Sequence, residues 1–374
     1  MRIGVPREIK DGERRVALVP DGVAALVADG HAVAVESGAG TAIGLSDEAY
    51  RNAGANVVDS PHGAWSCELV VKVKELQPAE YPRLRAGTTI CGFAQLARDP
   101  NLLSTVLAAG VRILAFETVR DASGVAPLLA PMSRIAGRLA PFAGAQALGT
   151  DRGGSGVLLT GVDGVAAANV VVVGAGSAGA QAAEVAARLG CRVMLLSRGA
   201  ARLRTVVANL VARGLAIEAR TMAAIGPEGF AAALAAADLV IGAVLEPGRL
   251  SPKLITRSHL RAMRAGSAFV DVGVDQGGIA ETSRMTSMSE PTYVEERIVH
   301  YAVPNMPSLV ARTAALALAT AALPFIRELA RGAAPALDAD PTLAAGLMVW
   351  DGAIADARLA ADAGLPVRSA PWRR

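Results

Sequence analysis

The sequence predicts an α/β fold built from two doubly wound, mainly parallel sheets. Three observations predict it. Apolar strand-like runs alternate with alanine-rich helical ones from the first residue onward. A glycine-rich stretch, "GTDRGGSGVLLTGVDG" at 149–164, divides that alternation into two series. The 374 residues, 52% hydrophobic and 19% charged, suffice for two buried cores rather than one. In the first series "MRIGVP", "HAVAVES", "ELVVKVK", "TTICGFA" and "RILAFET" read as strands, each followed by a turn signal or an amphipathic segment. In the second, "VVVVGAG", "RVMLLS", "LVIGAVL" and "AFVDVGV" make up a second complete sheet. Residues 315–330, "ALALATAALPFIRELA", predict a helix, and the tail "LPVRSAPWRR" reads as a loosely held terminus.

Composition narrows the function classes. With 37 basic against 34 acidic residues the net charge is +3, and no basic run is long enough to track a phosphate backbone, which argues against nucleic acid. The opening "MRIGVPREIKDGERRV" is charged throughout and lacks the apolar core of a signal peptide, so a cytoplasmic location is expected. Cys67, Cys91 and Cys191 are widely spaced and lie in or beside apolar runs, which reads as buried thiols rather than a metal site or disulfide. The uncharged stretch from Val165 to Ala183 is long enough to imitate a membrane span. Three glycines at fixed spacing argue instead for a ligand loop, and no membrane partner is expected.

Those glycines, Gly174, Gly176 and Gly179 in "VVVVGAGSAGAQAAEVAARLG", follow a predicted strand and open a predicted helix, with another strand about twenty residues on. The arrangement is the fingerprint of a Rossmann-type dinucleotide site. Gly174 permits the tight turn, Gly176 lets the backbone approach a pyrophosphate, and Gly179 allows close packing of helix on strand. N–H groups at the helix start, those of Ser177 and Ala178 among them, face the anion.

The second strand, "CRVMLLS", ends where an adenosine ribose sits and where an acidic residue normally accepts from its hydroxyls. Here that position is Ser197, followed by Arg198. A carboxylate about 4 Å from a 2′-phosphate costs roughly 4 kcal/mol at an effective dielectric near 20, so its absence lifts a barrier to NADP. Ser197 can donate to a phosphate oxygen, and Arg198 and Arg202 supply cationic donors. The expected coenzyme is NADPH, with NADH as the alternative if the arginines are merely solvated.

Over almost its whole length the sequence resembles bacterial alanine dehydrogenases. The resemblance lies in "MRIGVPREIKDGERRVALVP", "LVVKVKE" (69–75), "PLLAPMSRIAGRLA" (127–140), "ADLVIGAVLEPG" (237–248), "VDVGVDQGG" (270–278) and "HYAVPNMPSLVARTAALAL" (300–318). The nucleotide-binding subunit of transhydrogenase is a relative with the same opening and glycine signature. The resemblance implies a substrate domain of residues 1–130 plus 305–374, with the dinucleotide domain, 131–304, inserted, and an active cleft between them. It also implies a homo-oligomer, a hexamer or a dimer. Arg15 and Lys74 match the family's clamp on the substrate carboxylate; without the resemblance, Lys74 would read as the solvent-facing half of an alternating strand. Two cations on one carboxylate would fix the neighbouring carbon for hydride transfer. Asp275, read as closing the strand "SAFVDVGVD", matches the catalytic aspartate. Asn305 and Met306 match the loop over the nicotinamide, and Ser133, Val244 and Leu245 stand at further cofactor contacts.

The match breaks at Gln95, which stands where the family carries its catalytic histidine. Glutamine hydrogen-bonds but does not titrate near neutrality. Oxidising alanine requires proton shuttling as water adds to an imine, whereas reducing a preformed, protonated imine requires only the hydride. Pro304 reshapes the segment before Asn305, and Pro141 is expected to interrupt a helix. With Gln95 and Ser197 these changes predict an NADPH-dependent reductase of a carbon–nitrogen double bond beside a carboxylate, giving an amino or cyclic imino acid. Two alternatives stand beside it: an NAD-dependent L-alanine dehydrogenase and a non-catalytic NADP(H)-binding sensor.

Overall fold

The computed structural model describes residues 1–244 and 250–373. In chain order the strands are β1 (Arg2–Val5), β2 (Ala32–Glu36), β3 (Asn56–Val58), β4 (Leu69–Val71), β5 (Thr89–Gly92), β6 (Arg112–Ala115), β7 (Asn169–Val173) and β8 (Arg192–Ser197). They continue with β9 (Glu218–Thr221), β10 (Leu239–Gly242), β11 (Ala268–Asp271), β12 (Thr292–Glu295), β13 (Ile298–Tyr301), β14 (Leu347–Trp350) and β15 (Ala353–Ile354). The chain divides into two compact units, one of residues 1–132 with 308–374 and one of residues 133–307.

The first unit holds a sheet in the order β15-β14-β6-β5-β4-β1-β2-β3. Strands β1 to β6 pair in parallel, and β14 and β15 close one edge antiparallel. β4 is buried at every position because it lies in the middle of the sheet with both faces covered. That is why Lys72 and Lys74, downstream of it, are 1% and 8% exposed rather than alternating out to solvent. The second unit repeats the plan in the order β12-β13-β11-β10-β7-β8-β9, with only β12 antiparallel. In each sheet the order reverses beside the first strand, between β1 and β4 and between β7 and β10. Open α/β sheets bind their ligands at the carboxyl ends of strands at such a reversal.

Several sequence expectations are corrected by packing. Pro141 does not interrupt its helix, which runs unbroken over Ala130–Ala147. The stretch from Val165 to Ala183 is divided between β7 and the helix Ser177–Arg188. The C-terminal tail is tethered: Arg368 N–H donates to the Ile354 carbonyl at 2.8 Å, and the Trp372 indole donates to Asp338 at 2.9 Å. The helix expected at 315–330 spans Ala311–Arg331 and buries Ala315, Leu318, Ala322, Ile326 and Leu329, one face at helical spacing.

Candidate functional site

In the first unit, the segments leaving β1, β4, β5 and β6 carry a cluster of charged side chains that are taken out of water. Arg15, 2% exposed, is forked onto Glu13, with Nε–Oε1 at 2.7 Å and Nη2–Oε2 at 2.6 Å, and its Nη1 reaches the Met132 sulfur at 3.2 Å. Burial alone would raise the Glu13 carboxyl, but the hydrogen bonds and charge of Arg15 prevail and hold it low. Lys72 donates to Glu80 at 2.6 Å and to Glu8 at 3.3 Å. Glu8 in turn accepts from the backbone N–H of Val73 at 2.6 Å and of Lys74 at 3.4 Å. Burial pushes Glu8 up against the pull of Lys72. The result is a rigid footing for Lys74, whose ammonium comes no nearer to a carboxylate than the 4.0 Å separating it from Glu75. Burial lowers the Lys74 ammonium, and Glu75 only partly offsets it. An anion arriving beside Lys74 would restore the favoured charge.

Gln95 adjoins this cluster in chain and in space. Its backbone is left-handed, φ 50° and ψ 29°, an uncommon state for a residue with a side chain. The Glu117 carboxylate, at the end of β6, holds it there by accepting from Gln95 N–H at 2.7 Å and from Ala94 N–H at 3.1 Å. Burial drives the Glu117 carboxyl up, with those N–H groups and Lys74 opposing. Sequence reasoning missed Glu8, Glu13 and Glu117. The available signal was charge placed inside or directly after apolar strands, where an unpaired carboxylate is not tolerated.

In the second unit the glycine loop leaves β7 as its spacing requires. Gly174 has φ +110°, and a side chain there would meet the Ala243 carbonyl oxygen at 2.5 Å. At Gly179 a Cβ would stand 1.7 Å from the Gly174 oxygen, so helix and strand touch through that glycine. A Cβ at Gly176 meets only the Ala243 oxygen at 3.9 Å, leaving open space beside the loop. The helix Ser177–Arg188 begins at Gly176 with no side-chain cap, so the N–H groups of its first turn, from Ser177 and Ala178, face that space. One further glycine completes the loop. A Cβ at Gly137 would lie 2.0 Å from the Ala178 oxygen, so the helix that carries Ser133 backs the loop directly.

At the end of β8, where the sequence leads one to expect the ribose, Ser197 Oγ accepts from Gly199 N–H at 3.3 Å, which leaves its own hydrogen to donate. Arg202 is partly committed, since its Nε donates to the Ala175 carbonyl of the glycine loop at 2.9 Å. Arg198 is exposed. Val244 is half-buried after β10, and Leu245 lies outside the described residues.

Asp275 does not close a strand. β11 ends at Asp271, and Asp275 sits exposed in the turn Val274–Gln276, accepting from Asn305 N–H at 3.3 Å. Asn305 is itself left-handed, φ 55°, while Met306 is 2% exposed in the hydrophobic core of this unit. The buried aspartate is Asp271, which braces the Asp275 turn by accepting from Ile279 N–H at 2.9 Å, Gly273 N–H at 3.2 Å and Ser283 Oγ at 2.5 Å. From its other side Lys253 donates to the carbonyls of Gly278 and Ala280 at 3.1 and 2.9 Å. Among the described residues no cluster of histidine, cysteine and carboxylate could hold a metal.

Two family models match this chain: the N-terminal domain of alanine dehydrogenase/PNT over residues 4–136 and the C-terminal domain of the same family over 140–357. The chain belongs to the alanine dehydrogenase/PNT family. The alanine dehydrogenase of Halomonas elongata is 44% identical over 94% of each chain, and that of Mycolicibacterium smegmatis 43% identical over 99% of each. Among solved structures, an L-alanine dehydrogenase superposes with a TM-score of 0.91 at 42% identity, covering 97% of this chain and 99% of its own. The transhydrogenase of Sinorhizobium meliloti gives 0.79 at 25% identity, covering 96% and 100%.

These relatives correct the functional expectation drawn from Gln95 and Ser197. Proteins more than two-fifths identical over nearly the full length carry the name alanine dehydrogenase, which overturns the reading as an NADPH-dependent imine reductase in favour of its first alternative. The inference failed because it took one missing imidazole as a lost reaction.

Proposed function

We propose that this chain is an NAD-dependent L-alanine dehydrogenase, a member of the NAD(P)-dependent amino-acid dehydrogenases acting on CH–NH2 groups. It converts L-alanine, NAD+ and water to pyruvate, ammonium, NADH and a proton. The observation that carries the reading is the pair Arg15 and Lys74, 2% and 8% exposed, at the strand-order reversal of the first sheet. A cation buried to that degree is stable only with a negative partner, and for Lys74 the substrate carboxylate supplies one. In this reading the unit of residues 1–132 and 308–374 receives the amino acid, and residues 133–307 hold the dinucleotide.

The chain's own residues have distinct tasks. Lys74 and Arg15 fix the carboxylate, and Glu8 fixes Lys74 by gripping the backbone N–H groups of Val73 and Lys74. A bound NAD would supply the hydride acceptor for the α-carbon. Gly174, Gly176 and Gly179 with the N–H groups of Ser177 and Ala178 would hold its pyrophosphate, and Ser133, Val244 and Leu245 would line its remainder. Asp275, whose carboxylate accepts from Asn305 N–H, would orient the reacting end. Gln95 offers an amide in place of an imidazole and so orients water without taking its proton. Because no carboxylate guards the ribose at Ser197, the site discriminates weakly against NADP, with Arg198 and the unengaged donors of Arg202 beside the 2′ position. The enzyme acts in the cytoplasm as a homo-oligomer.

The test is steady-state kinetics with both coenzymes. L-alanine oxidation and pyruvate amination with NAD(H) should be the principal activities. Absence of both, with turnover of cyclic imines or of 2-hydroxy acids instead, would refute the proposal.

A further inference from the structure

Glu75 is the unexplained group beside the carboxylate clamp. Its Oε1 is paired with Lys10, while its Oε2 is buried with no hydrogen-bond partner, the sole such side-chain oxygen or nitrogen among the described residues. A buried carboxylate oxygen left unbonded costs free energy that folding does not spend without a reason, so a donor belongs there. Lys74 is 4.0 Å from Oε2, beyond hydrogen-bond reach.

The charges around Lys74 tell what kind of donor fits. Lys10, Arg15 and Lys74 lie among Glu13, Glu75 and Glu117, the last of which is held by the N–H groups of Ala94 and Gln95. Arg15 is matched by Glu13, and Lys10 by one oxygen of Glu75. What remains without a hydrogen-bond partner is Glu75 Oε2, and the only ion pair this leaves Lys74 among the described residues is the long one between them, at 4.0 Å. An α-amino acid bears its carboxylate and its ammonium on a single carbon, so its two partners must likewise be neighbours of opposite sign. A 2-oxo acid or an unsubstituted carboxylate, with no donor on that carbon, would satisfy only the lysine.

We propose that Glu75 is the acceptor for the substrate's amino group: Oε2 binds the ammonium of alanine in oxidation, and the incoming ammonium ion in amination, while Lys74 and Arg15 hold the carboxylate. The inference rests on the alanine dehydrogenase reading. Glu75 thereby selects amino acids over carboxylates that lack nitrogen.

The experiment compares the wild type with Glu75→Gln and with Lys10→Gln, which breaks the Oε1 pair and leaves Oε2 in place. In Glu75→Gln the KM for ammonium at saturating pyruvate should rise about tenfold to hundredfold, as expected for loss of a hydrogen bond between charged groups, with KM for L-alanine rising alike. The KM for pyruvate and the inhibition constant of propionate should stay within about twofold, and Lys10→Gln should leave the ammonium KM unchanged. Equal rises for ammonium and pyruvate would show that Glu75 acts only through Lys74, and a matching effect in Lys10→Gln would assign it to the ion pair; either result overturns the proposal. Calorimetric binding of L-alanine and of propionate in the presence of NADH reads the same contrast without turnover. If the wild type lacks alanine activity, the enzymatic reading fails by itself; selective loss of L-alanine binding in Glu75→Gln would still support the acceptor role, and equal binding in both forms would end it.

Discussion

Replacing Lys72 by methionine tests whether the footing under Lys74 is electrostatic. Lys72 is 1% exposed, and its ammonium is shared between Glu80 at 2.6 Å and Glu8 at 3.3 Å, whose side chains are 2% and 3% exposed. Methionine fills nearly the same volume but leaves two buried carboxylates facing each other. Removing one partner of such a buried pair costs about 3–5 kcal/mol. At about 2–4 °C per kcal/mol for a domain of this size, the melting temperature should fall by about 6–20 °C near pH 8. The pH dependence follows from sign. Burial already holds the Glu8 carboxyl above its ordinary value with Lys72 opposing, so without Lys72 it rises further. A raised carboxyl favours the folded state at low pH and loses that favour as pH climbs through its folded value. The Lys72 ammonium is held above its ordinary value by Glu8 and Glu80 despite burial, so it contributes no slope near neutrality. The deficit of Lys72→Met should therefore shrink between about pH 8 and pH 5. Because Glu8 also grips the Val73 and Lys74 N–H groups, KM for L-alanine should rise in the same variant. Thermal melts across that range and alanine kinetics provide the check. A melting-temperature loss under about 3 °C, or one that does not change with pH, would refute the reasoning.

Three further outcomes are expected. Gly179→Ala places a methyl group 1.7 Å from the Gly174 oxygen, so NAD binding measured by calorimetry should fall by at least about tenfold while the melting temperature drops. Ser197→Asp restores a carboxylate beside the ribose hydroxyls; at this half-exposed position, discrimination against NADP should rise by about tenfold, read from kcat/KM with each coenzyme. Gln95→His should change alanine oxidation by less than about tenfold, and a gain of about a hundredfold or more would show that the native chain is not tuned for this reaction.

The parts legible in the sequence were those governed by local rules. The glycine spacing specified a tight turn and a close contact, and Gly174 and Gly179 meet the neighbours that these demand, while Gly176 leaves open space. Alternating strand and helix signals gave both sheets, because parallel strands are continuous apolar runs. Short or polar strands such as β3, β9 and β12 escaped, since their pairing depends on neighbours far along the chain rather than on their own pattern. The site was legible only in part for the same reason. Arg15, Lys74, Gln95 and Asp275 stood out through resemblance, but nothing local revealed that Glu13 holds Arg15, Glu8 the Lys74 backbone and Glu117 the Gln95 backbone, or that Asp271 braces the Asp275 turn. Treating Lys74 as an outward-facing strand residue failed because burial on both faces of β4 is a property of the whole sheet.

The last strands of the chain have a consequence for how it is made. β14 lies against β6, and Thr118 reaches the Gly346 carbonyl 228 residues away in sequence, so the first sheet has an uncovered edge until synthesis is nearly finished. Residues 133–307, one uninterrupted stretch, have all their strand partners much earlier. A ribosome stalled or a message truncated before residue 347 would release a protein with its later-encoded module assembled and its first sheet ending in the open ladder of β6. Such a fragment would be sticky rather than merely inactive.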